Sequence, residues 1–176
     1  MVEELEEYLV KDDLYRTIIV RTPKGEMRLQ MTGGDLLTRL YRLNGERDRL
    51  TPAQQAQLDA LNQRAEQTMY GLKTRFNQRL QREIKARLDS LKWYLDESSE
   101  DRARARANYP YEIRNRQRIE EILKRLAGDL PSELAEQLRA LDNRLRMLTI
   151  RGEFVWDAQL QHIFPQNPYW YLYASV

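Results

Sequence analysis

A chain of 176 residues with 41% apolar side chains fits one folded domain, or one domain with an appendage, and 29 basic against 27 acidic residues leave a net charge of only +2, so no whole-molecule field demands a polyanionic partner. The absence of cysteine excludes disulfides, thiolate metal sites, iron–sulfur ligation and cysteine nucleophiles together. The start, MVEELEEYLV, is acidic where a secretory signal would be basic, and no apolar run approaches the ~20 residues needed to span a bilayer, which predicts a soluble cytoplasmic protein with no membrane partner.

Charge is spread unevenly. Residues 1–13 carry six carboxylates and one lysine, a balance of −5, and the first predicted element lies there: a short amphipathic helix over Glu3–Val10, with Leu5 and Leu9 four apart. Next comes LYRTIIVRTPKGEMRLQMT, in which Ile18 and Val20 alternate on one side of Thr22-Pro23-Lys24-Gly25 and Met27, Leu29 and Met31 on the other. Proline second and glycine fourth in the turn predict a type I β-hairpin. After Gly33-Gly34, read as a tight turn, Asp35 is the expected cap of a helix through Leu43 that ends at Asn44-Gly45.

Thr51 opens the dominant element, since TPAQ offers an N-cap threonine, a proline at the first helical position and a glutamine that closes a capping box. Leu58, Leu61, Ala65, Met69, Leu72, Phe76, Leu80, Ile84, Leu88, Leu91 and Leu95 then follow at threes and fours. The stripe keeps phase across Gly71 and predicts one helix from Pro52 to Glu97. A second stripe from Ile119 to Leu148 keeps phase through Gly128 and Pro131, which should kink or break it, and supplies a return arm. The expected fold is mainly α: a long antiparallel, coiled-coil-like helical hairpin over residues 51–149, its tip near 98–110, on a small α+β base. Residues 1–50 supply the base with its β-hairpin, and the aromatic segment 150–176 packs on it; YWYLY could add a third strand. Two helices meeting along one seam make a thin core, so a homodimer is expected.

Chemistry is sparse. His162 is the only histidine, which excludes paired-histidine metal sites; no G-x-S-x-G, S-x-x-K or phosphate-loop pattern occurs; the expectation is a non-enzymatic protein without cofactor or metal. The one charged constellation is EDRARARANYPYEIRNRQRI, where six arginines against Glu112 give +5 from Arg102 to Arg118. Were it extended, Arg102, Arg104 and Arg106 would share a face and, with Tyr109, Tyr111, Arg114, Arg116 and Arg118, could grip the phosphates and bases of a nucleic acid. Were it helical, the cluster would disperse and the tyrosines would plug the hairpin end. Three functions remain open: an interaction or scaffold protein, an RNA- or DNA-binding accessory protein using those arginines, and a small-molecule or peptide binder at Trp156, Trp170 and Tyr171.

Overall fold

The structure is a computed structural model that describes residues 1–11, 13–23 and 25–176. The chain is mainly α, with an N-terminal β-hairpin, a helical hairpin and an aromatic cluster near its C-terminus. It divides into two compact units, Met1–Glu83 and Ile84–Val176.

In the first unit, helix α1 (Leu5–Val10) follows a single 3-10 turn and buries Leu5, Tyr8 and Leu9. Strands β1 (Arg16–Thr22) and β2 (Gly25–Met31) pair antiparallel with Ile18 opposite Leu29 and Val20 opposite Met27, the alternation the sequence predicts. The turn reading rests on Lys24, which lies outside the described residues. Gly25, at φ +118, holds a backbone conformation that favours glycine.

Helix α2 spans Gly33–Gly45, and its cap is Thr32 rather than Asp35: the threonine hydroxyl accepts from the Asp35 amide at 3.1 Å. The double glycine is therefore the first turn of the helix. Close approach explains Gly33, because a Cβ there would stand 2.7 Å from Leu80 Cδ2 and 3.1 Å from Phe76 Cε2. Thr51 caps helix α3 (Pro52–Gly71) with the expected box, its amide bonded to Gln54 Oε1 at 2.9 Å.

The predicted single helix is interrupted. Leu72 takes φ −115 and ψ 30 between α3 and α4 (Lys73–Glu97), although Leu72 N still donates to Thr68 O and Phe76 N to Leu72 O. Gly71 weakens the helix at that point through its extra backbone freedom. The stripe residues Leu58, Ala65, Met69, Phe76, Leu80, Ile84, Leu88, Leu91 and Leu95 are buried, while Leu61 is exposed.

In the second unit α4 turns into α5 (Arg102–Leu126) through residues 98–101. The two run antiparallel: Tyr94 Oη donates to Ala105 O at 2.9 Å and Arg87 Nη1 to Asn115 Oδ1 at 3.0 Å. Pro110 stands inside α5, and Asp101 is the cap. At Ala127 (φ 49) and Gly128 (φ 97) the backbone enters the left-handed region and reverses. Helix α6 (Ser132–Leu148) thus doubles back on α5, where the sequence predicts that it continues the return arm. Arg116 meets Asp142, and Arg144 Nη2 meets Asp96 Oδ1 at 2.7 Å, which brings the end of α6 beside the α4–α5 turn.

The aromatic segment packs within the second unit. Its groups bond to the first half of α5: Tyr109 Oη donates to Tyr171 O at 2.7 Å, Trp156 Nε1 to Pro110 O at 2.9 Å and Arg106 Nε to the backbone oxygen of Val176 at 2.6 Å. YWYLY adds no strand to the hairpin; Trp170–Tyr173 form a 3-10 turn, and β3 (Ile150–Arg151) pairs with β4 (Ala174–Ser175) as a separate two-residue ladder.

Candidate functional site

Helical geometry disperses the arginine segment. Two residues along an α-helix rotate a side chain by about 200°, so Arg104 leaves α5 on the side opposite Arg102 and Arg106, which stand four positions apart on one face. Arg102 and Arg104 are exposed, Arg106 is bonded to Val176, and Arg114 lies over the Tyr111 ring at 5.1 Å. Arg118 is half-buried. Arg116 is interior, 5% exposed. Its guanidinium forks onto Asp142 at 2.7 and 3.0 Å, reaches Glu120 at 2.9 Å and stands 4.8 Å from the centre of the Tyr171 ring. Tyr109 is a core residue and Tyr111 an exposed one. The eight residues therefore do not converge on one surface.

Around Arg116 the buried carboxylates, amide and cations pair with one another, and Tyr171 Oη is the exception. Burial opposes the arginine's charge, but Asp142 and the neighbouring anions outweigh that and raise its pKa. Glu121 accepts from Tyr169 Oη and from Gln117 Nε2, and Lys124 Nζ bonds both Glu121 and Tyr169. Burial still pushes the Glu121 carboxyl above its ordinary value. Burial likewise drives the Tyr109 and Tyr171 hydroxyls upward, which keeps both neutral. In the first unit Glu83, 1% exposed, accepts from Thr32 Oγ1 at 2.6 Å and from the Gly34 amide at 2.8 Å, a carboxylate set against the positive end of α2.

Of the aromatic trio, Tyr171 is interior, whereas Trp156 and Trp170 are both half-buried. Edge-to-face contacts run from Trp156 through Phe164 and Tyr169 to Tyr171 and Trp170, with centroids 5.0–6.3 Å apart. Tyr171 is fully enclosed, and Trp156 is tied to Pro110. Trp170 is half-buried and carries the Arg146 guanidinium 4.1 Å from its ring centre. It forms one wall of an open groove of about 420 Å³, completed by Ile150, Arg151, Gln166, Asn167 and neighbouring residues of the β3–β4 ladder. Every wall residue is neutral or cationic, so the groove favours an anion. Arg146 and Arg151 are the members that sequence reasoning missed. The segment RLRMLTIRG carries three arginines and no carboxylate, and that signal was available; the meeting of Arg146 with Trp170, 24 positions on, was not.

Among the described residues no group of histidine, aspartate and glutamate side chains is placed to hold a metal ion, and no helix is long and apolar enough to cross a membrane. Protein-family models, curated proteins and solved structures contain no match to this chain.

Proposed function

We propose that this chain is a non-enzymatic interaction module that engages a partner protein at the α6–β3 end of its second unit. The observation that carries this reading is the exposure of two large apolar side chains there: Met147 is 86% and Ile150 71% exposed, beside the Arg146–Trp170 groove. Apolar residues next to arginine and tryptophan have the composition of interaction surfaces. The polar groups best suited to chemistry are engaged elsewhere, Arg116 with Asp142 and Glu121 with Tyr169.

Photo-cross-linking tests it. A benzophenone side chain at Met147, in cells that make the protein, is expected to give a discrete adduct that the same group at exposed Glu136 does not give; adducts equal at both positions, or none at Met147, would overturn the reading. A homodimer is the companion expectation. Leu61, a member of the α3 stripe, is exposed and offers part of that seam to a second chain. Sedimentation equilibrium reads it directly, and a strict monomer refutes it.

A further inference from the structure

We infer that the Arg146–Trp170 groove binds an acidic peptide in extended conformation, with carboxylates on Arg146 and Arg151 and an intervening apolar residue against Ile150. This rests on the interaction reading above and adds the chemistry of the partner.

Stacking determines what Arg146 can offer. A guanidinium held over a ring contacts the π face, which uses none of its five N–H donors in a hydrogen bond. The Trp170 contact thus holds Arg146 with its donors available for a carboxylate, at less cost in side-chain freedom than a loose arginine would incur. Arg151 supplies a second cation from β3, and the wall contains no acid to compete with the ligand. The side-chain amides of Gln166 and Asn167 carry both donors and acceptors, as a peptide backbone requires. A volume of about 420 Å³ falls within the range of ligand sites. Its openness favours an extended chain running across it over a small molecule, which binds well only when most of its surface is enclosed. The acidic start of this same chain is poorly suited to the role, because Leu5, Tyr8 and Leu9 hold it in α1.

The test uses the purified full chain and fluorescence anisotropy with a labelled short peptide alternating glutamate and leucine. Saturable binding is expected, weakened about tenfold or more by Arg146→Glu or by glutamine in place of the glutamates, and weakened further by added salt. Arg151→Glu is the second variant should Arg146→Glu disturb the Trp170 packing, with circular dichroism to establish that each variant is folded. Equal binding of the glutamine peptide, or no saturable binding, overturns the inference. Displacement by inorganic phosphate or free glutamate at matched concentration would assign the groove to a small anion. Displacement by an oligouridylate would assign it to nucleic acid, and self-association abolished by Arg146→Glu to a second copy; each of these also overturns it. Cross-links from Met147 without peptide binding would remove this inference and leave the broader reading standing.

Discussion

The Arg116 guanidinium and the Asp142 carboxylate meet through two hydrogen bonds, 2.7 and 3.0 Å long, across the α5–α6 interface. Both side chains are withdrawn from water, at 6% and 13% exposure. The planar fork of arginine matches both oxygens, which makes the pair geometrically specific as well as charged.

Removing one partner strands the other. Asp142→Ala is expected to destabilise the protein by roughly 3–5 kcal/mol, because an uncompensated charge remains buried. Urea denaturation measures this. Adding Arg116→Met should recover part of the loss, and a double variant no better than the single would show that the two residues act independently.

Two glycines should respond in opposite directions. A methyl group on Gly33 runs into Leu80 and Phe76, so Gly33→Ala is expected to destabilise by about 1–3 kcal/mol. Around Gly71 nothing lies within 4 Å of the added Cβ, and Gly71→Ala is expected to stabilise by up to about 1 kcal/mol. Thermal melts of the two variants that move together would contradict this.

A third comparison concerns two buried tyrosines. Tyr109 Oη donates to Tyr171 O, whereas Tyr171 Oη has no hydrogen-bond partner among the described residues. Tyr109→Phe should therefore cost about 1 kcal/mol, and Tyr171→Phe should be neutral or mildly stabilising. Equal losses in denaturant would refute the assignment.

The pH dependence has two limbs of opposite sign. Hydrogen bonds from Arg16 and Lys11 lower the Glu7 pKa from 4.5 to about 2. Its contribution is therefore present above pH 4.5 and lost as pH falls toward 2. Glu121 moves the other way, since burial raises its pKa. Its contribution is full below the ordinary carboxyl value and declines as pH rises through the folded one. Denaturation across the acid range should show Glu7→Gln flattening the acid limb and Glu121→Gln reducing the decline above pH 4.5. Unchanged profiles in both variants would exclude these residues as the source.

Much of the fold is local and was legible in the sequence. Alternation along Ile18–Val20 and Met27–Met31, the Thr51–Gln54 box and the apolar stripes each encode an element within a few residues of itself, because side-chain period and capping are short-range properties. The stripes could not reveal chain direction. An apolar seam looks the same whether the next helix continues or reverses, and two positive φ angles at Ala127 and Gly128 turned α6 back on α5. Sequence spacing likewise could not say that Arg116 is interior while Arg146 lies on Trp170, since burial and stacking depend on partners 26 and 24 positions away. The sequence by itself determined the β-hairpin and most of the helical segments. Tertiary packing alone decided which charges are consumed in the core and which two arginines face the groove.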